Sequence, residues 1–129
     1  MIVDTSAFMA ILRQEPEAER FTALLAEAPD VAISAGTLLE LGMVAEGKAG
    51  PAIRPCVDRL LADAEAEVVP FTETQARLAL EAWRRFGKGR HKAALNFGDC
   101  FAYALARERN APLLFKGADF SETDVKAAI

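Results

Sequence analysis

Short β-branched runs alternate along this chain with longer segments whose apolar residues recur at three- and four-residue spacing. Ile2 and Val3 predict a strand, and the polar Asp4-Thr5-Ser6 then precedes Phe8, Ile11 and Leu12 at helical spacing. Pro16 with Glu15, Glu17 and Glu19 suits a helix start, with Phe21, Leu24 and Leu25 as its buried face. Val31-Ala32-Ile33 predicts a second strand. Ser34 or Thr37 then caps a helix carrying Leu38, Leu41, Val44 and Ala45, which Gly47 and Gly50-Pro51 are expected to break.

The alternation continues. Val57, Leu60 and Leu61 predict a fourth helix, Val68-Val69 a third strand, and Thr72-Glu73 the start of a helix through Leu78, Leu80 and Trp83. Asn96 or Phe97 opens another helix with Phe101, Ala104 and Leu105 on one side, and Pro112-Leu113-Leu114-Phe115 predicts a fourth strand. Strands separated by helices imply a parallel sheet covered on both faces, because parallel neighbours need crossover connections. Ligands of such sheets bind beyond the carboxyl ends of the strands.

With 129 residues, 52% of them hydrophobic, residues 1–129 are expected to form a single domain with its own core. No apolar run approaches membrane-spanning length, and Met1-Ile2-Val3-Asp4 lacks the basic start of a signal peptide, so a cytoplasmic location without membrane association is expected. Cys56 and Cys100 lack metal-site spacing and read as packed thiols. A net charge of −4 does not suit a protein that only grips nucleic acid electrostatically. Residues 84 to 92, however, gather Arg84, Arg85, Lys88, Arg90 and Lys92 with the only histidine, His91.

Candidate chemistry lies in the acids. Asp4 directly follows the first strand and Asp119 the last, so both belong at the carboxyl edge of the sheet. Asp99 falls in the first turn of a helix between Gly98 and Cys100, and Glu40 sits among Leu38, Leu39 and Leu41, where an unpaired charge is costly. Taken singly, Asp4 and Asp99 can be helix caps, Asp119 a turn residue and Glu40 a solvated helix-edge residue. Taken together, four converging carboxylates repel one another, and a divalent cation relieves that repulsion. An all-oxygen set suits Mg²⁺, with Mn²⁺ as its substitute, rather than zinc. Such a site activates water for phosphodiester hydrolysis and neutralises the charge that develops on the phosphate. A single histidine leaves no two-imidazole acid–base scheme, and no phosphate-binding glycine loop occurs.

These residues form a familiar pattern. Met1-Ile-Val-Asp-Thr-Ser-Ala7 resembles the opening of PIN domains, Ser34 to Leu41 with Leu39-Glu40 their second acidic motif, Asn96-Phe-Gly-Asp-Cys-Phe101 their third, and Leu113 to Phe120 their last strand and final acid. The resemblance, closest to toxins of the VapC type, implies a three-layer α/β/α sandwich with a central, mainly parallel sheet. It also implies a Mg²⁺-dependent endoribonuclease held in check by a cognate VapB-type antitoxin, and a homodimer. On it, Asp4, Glu40, Asp99 and Asp119 become catalytic residues and metal ligands, with Asp124 as the alternative to Asp119. Thr5, Asn96, Arg85, Lys88 and Arg90 become substrate contacts, the three cations holding the RNA backbone. Trp83, Leu78 and Leu80 are open to either a dimer partner or the monomer core, whereas Phe86, Phe97 and Tyr103 are expected in the core. His91 is expected to meet RNA or solvent, and a thiol nucleophile at Cys100 is disfavoured.

Three other functions share parts of this pattern. An aspartate-nucleophile phosphatase would want a second Asp where Ser6 stands, and a phosphoacceptor receiver would want its Asp after the third strand, at Val69-Pro70-Phe71. A catalytically silent PIN-fold binding module would have no use for mutually repelling acids.

Overall fold

The computed structural model describes residues 1–129. Four parallel strands, β1 (Ile2–Val3), β2 (Ala32–Ser34), β3 (Glu67–Val69) and β4 (Leu113–Leu114), form one sheet in the order β3-β2-β1-β4. Six helices surround it: α1 (Thr5–Leu12), α2 (Ala18–Glu27), α3 (Ala35–Ala49), α4 (Arg54–Asp63), α5 (Glu73–Phe86) and α6 (Phe97–Arg109).

Because successive strand residues face opposite ways, β1, β2 and β4 each feed two cores, while β3 feeds the first alone through Val69. Ile2, Ala32, Val69 and Leu113 point into a core closed by Ala82 and Phe86 of α5 and by Ala102, Tyr103, Leu105 and Ala106 of α6. Val3, Ile33 and Leu114 point into the other, against Phe8 of α1, Phe21 and Leu25 of α2, Leu41 of α3 and Val57 of α4. The result is the expected three-layer α/β/α sandwich with an all-parallel sheet. The central strand β1 has no exposed side, with Ile2 and Val3 at 1% and 0% exposure, which accounts for its continuous apolar sequence.

One helix end and one cysteine differ from the sequence reading. Gly47 does not break α3, which runs on to Ala49, and the helix ends at Gly50, whose φ of 77° a residue with a Cβ rarely adopts. Cys56 is exposed rather than packed, because Val57 is the only fully buried residue of α4. No helix is long and apolar enough to cross a membrane.

The chain leaves β1 for β2 and β3 on one side and reaches β4 on the other. The order therefore reverses at the β1/β4 junction, and the crevice beyond their carboxyl ends is where such a sheet takes its ligand.

Candidate active site

Asp4 stands at that junction. Its backbone N–H donates to the Leu114 carbonyl of β4 at 3.0 Å, and its side chain caps α1, Oδ2 accepting from the Ser6 N–H at 3.0 Å and the Ser6 hydroxyl at 2.6 Å. Capping and membership of the acidic cluster are thus compatible: one oxygen is used and Oδ1 is left buried without a partner. Burial raises the Asp4 pKa above the ordinary carboxylate value, the Ser6 bonds oppose this, and the Glu40 charge adds to it.

Glu40 reaches the same place from α3. Thr5, buried beside Asp4, donates its hydroxyl to Glu40 Oε1 at 2.5 Å, and on the other side the carboxylate lies against Gly98 so closely that a Cβ there would overlap it. Asp99, the third residue of α6, completes a capping box with Asn96: each accepts the other's backbone N–H at 2.9 Å. Even so, burial pushes the Asp99 pKa up to about 7, and the charges of Asp4, Asp119 and Glu40 push the same way. Asp119 precedes the 3₁₀ turn Phe120–Glu122 and is exposed.

The four predicted acids therefore share one field at the carboxyl edge of the sheet, although no three His, Cys, Asp or Glu side chains are gathered closely enough to form a ready metal cage. The donor chemistry nevertheless fits a hard divalent cation: the set is all oxygen, one buried oxygen has no partner, and two carboxyls sit in an environment that resists their charge. Asp124 lies elsewhere. It accepts the Tyr103 hydroxyl at 2.6 Å and pairs with Arg85 at 3.3 Å and Arg107 at 3.8 Å.

The basic segment divides. Arg85 is tied to Asp124 and Lys92 to Glu122, whereas Arg90 lies over the Trp83 ring at 4.5 Å and Lys88 is exposed, neither with a carboxylate partner. His91 is turned inward, Nδ1 accepting the Ala93 N–H at 3.0 Å and the ring edge meeting Phe86. Burial, followed by the Asp99 charge, pushes the Cys100 thiol up to about 11, so it stays protonated and is no nucleophile.

Beside the acids, Lys88, Asn96 and Cys100 share a cleft of about 600 Å³ with Phe71, Leu80 and Trp83. Phe97 also lines this cleft and is 82% exposed, not in the core, while Phe86 and Tyr103 are buried as expected. Gly98 was not among the residues expected to shape the site, and adjacency to Asp99 was its only signal in the sequence. Ser6 lies at the helix start that its sequence suggested, and its hydroxyl also reaches Asp4.

Comparison with known proteins bears on the family and the fold. The PIN domain family model matches residues 1–126. The VapC ribonuclease Mb0625 of Mycobacterium bovis is 49% identical over 130 residues, covering 100% of this chain and 98% of the relative. The ribonuclease VapC of Mycolicibacterium smegmatis is 45% identical over 127 residues, covering 98% of each. Among solved structures, VapC20 of Mycobacterium tuberculosis, described as a Sarcin-Ricin loop cleaving toxin, superposes with a TM-score of 0.77 at 20% identity, covering 96% of this chain and 95% of that one. VapBC2 of Rickettsia felis, solved on a promoter DNA fragment, gives 0.75 at 19% identity, covering 98% and 94%. On full-length similarity to these relatives and on the domain match, the chain belongs to the VapC family of PIN-domain ribonucleases.

Proposed function

We propose that this protein is a metal-dependent endoribonuclease, the toxin of a toxin–antitoxin pair, acting as one nuclease domain over residues 1–129. The observation that carries the reading is the shared field of Asp4, Glu40, Asp99 and Asp119, in which burial, and the charges of the neighbouring acids after it, disfavour the ionised forms of Asp4 and Asp99. Asp4 and Asp99 would hold Mg²⁺ or Mn²⁺, with Glu40 and Asp119 completing the set; Asp124 is left out because its oxygens serve Tyr103, Arg85 and Arg107. When bound, the cation supplies charge neutralisation at the phosphodiester and lowers the pKa of water.

The chain's own residues do the rest. Thr5 holds Glu40, and the Asn96 capping box fixes Asp99 at the start of α6, where the helix dipole adds positive potential. Lys88 and Arg90, free of carboxylates, hold the RNA backbone beside an otherwise repelling acidic surface. Arg85 contributes through its pairing with Asp124 rather than by direct contact. A cognate VapB-type antitoxin is the expected partner, supported by solved relatives that are toxin–antitoxin complexes. A homodimer is the natural use of the exposed apolar residues Leu80, Trp83 and Phe97.

The deciding experiment incubates antitoxin-free protein with single-stranded and structured RNAs, with Mg²⁺ or Mn²⁺ and with chelator, beside Asp99→Asn. Internal cleavage by the wild type alone, abolished by chelator, is the expected result. Folded wild-type protein that cuts no RNA with either metal would leave a PIN-fold binding module instead.

A further inference from the structure

Ser6 does more than a helix start requires. Its backbone N–H donates to Asp4 Oδ2 at 3.0 Å, which alone satisfies the N-terminal cap of α1. Its hydroxyl makes two further contacts, donating to the same Asp4 Oδ2 at 2.6 Å and accepting the backbone N–H of Lys116, 110 residues away, at 3.0 Å. A backbone N–H can only donate and a hydroxyl has one proton, so the direction of the chain is set: Lys116 N–H to Ser6 Oγ, Ser6 O–H to Asp4 Oδ2. Lys116 is held from its other end as well, its ammonium paired with Glu15 and, at 3.2 Å, with Glu17.

We propose that Ser6 is a positioning residue for Asp4, a hydroxyl strut across the β1/β4 junction that confines both donors to Oδ2 and reserves the buried, partnerless Oδ1 for the cation. The strut also ties Asp4 to Lys116, three residues before Asp119. Partners that orient a metal-ligating carboxylate act through affinity and rate rather than through substrate contact. This inference rests on the nuclease reading above.

The test compares wild type with Ser6→Ala, Ser6→Thr and Ser6→Val, the last two being nearly equal in shape and differing in the hydroxyl. Mn²⁺ binding is measured by calorimetry on the RNA-free protein, and kcat and KM are measured separately on RNA. Loss of the hydroxyl in Ala and Val should weaken Mn²⁺ binding and lower kcat by about 10- to 100-fold each, with KM unchanged, and Thr should restore both. Ser6→Ala binding Mn²⁺ and turning over RNA like the wild type would overturn the proposal, as would Thr failing alongside Val. Failure of both hydroxyl-free variants to fold would overturn it too, leaving a structural role. A wild type that neither binds Mn²⁺ nor cuts RNA would defeat the nuclease reading and this proposal with it, whereas an intact wild type matched by Ser6→Ala would defeat this proposal alone.

Discussion

The Thr5 hydroxyl donates to Glu40 Oε1 at 2.5 Å, so the first turn of the helix that Asp4 caps also holds the acid delivered by α3. The Glu40 carboxylate also lies against Gly98, where a Cβ would overlap it.

Gly98→Ala should therefore be an active-site mutation at a position without a functional group. Alanine favours a helix over glycine by about 1 kcal/mol, which offsets much of the overpacking cost of about 1–3 kcal/mol, so the variant should fold. RNA cleavage should fall by at least about 10-fold as Glu40 is displaced from the cluster. Shortening the acid with Glu40→Asp in the Gly98→Ala background should recover part of the activity. Cleavage by Gly98→Ala at the wild-type rate would show that Glu40 need not stay where Gly98 admits it.

Cation binding should appear as stability. A site saturated to 100 times its dissociation constant stabilises the fold by about 2.7 kcal/mol, so Mn²⁺ or Mg²⁺ should raise the Tm by several degrees. Asp99→Asn should remove that rise. The pKa of Asp99 is raised from its ordinary value to about 7, chiefly by burial. Stability linked to its protonated form is full below the unfolded pKa and is lost as the pH rises through about 7. Without cation at pH 8, Asp99→Asn should consequently be at least as stable as wild type. A clear drop in its Tm would contradict this account of the pocket.

How much of this was legible in the sequence varies by position. Asp4 and Asp99 announced themselves because one ends a strand and the other begins a helix, both local features, and the residues of β1, β2 and β4 did so because each short run had to fill two cores. The bond from Lys116 to the Ser6 hydroxyl could not be read, since that partner lies 110 residues away. Gly98 matters by what it lacks, which no pattern of polar and apolar positions records. Phe97 misled because its spacing to Phe101 is helical and the two rings do meet, 5.0 Å apart, but on the side of α6 that lines the open cleft, while Gly98, Ala102 and Leu105 form the covered side. The charges of residues 84 to 92 looked equivalent, yet folding pairs Arg85 and Lys92 with acids near the C-terminus and leaves Lys88 and Arg90 without one.

That division predicts different outcomes for neighbouring cations. Each phosphate contact to single-stranded RNA contributes about 0.7 to the slope of log K against log salt, so replacing Lys88 and Arg90 together should flatten it by about 1.4. Arg85→Ala should leave the slope nearly intact and lower the Tm instead, since its partner Asp124 is structural. Equal slopes for wild type and the double variant would remove the basic segment from RNA binding.

Asp124 supplies an acid-side prediction. Burial acts to raise its pKa, but the Tyr103 hydroxyl and the Arg107 and Arg85 charges outweigh this and hold it below the ordinary value. A depressed carboxylate pKa contributes stability that is present above the unfolded value, near 4, and is lost as the pH falls through the folded one. Asp124→Asn should thus cost stability at pH 7 and progressively less towards pH 3. Tyr103→Phe, which removes a hydrogen bond to a charged acceptor, should cost about 1.5–3 kcal/mol at pH 7. A Tm difference between Asp124→Asn and wild type that stays constant from pH 7 to 3 would refute the pairing.

The exposed apolar residues give the last prediction. Phe97 is 82% exposed, and Leu80 and Trp83 are exposed on the same cleft, an arrangement that leaves three large hydrophobic side chains in water with no segment of the chain to cover them. If a second copy covers them, burial of this surface supplies the association energy at roughly 25 cal/mol per Å² before the costs of ordering. Trp83 is the only tryptophan, so its emission reports on this face alone. On dilution from tens of micromolar to nanomolar, the emission should shift to the red as the dimer separates, with sedimentation showing the matching change in mass. Phe97→Glu places a charge in the centre of that contact and should be monomeric, with red-shifted emission at every concentration. A wild type that sediments as a monomer throughout, with constant emission, would exclude self-association and leave the cleft open to the antitoxin or to RNA.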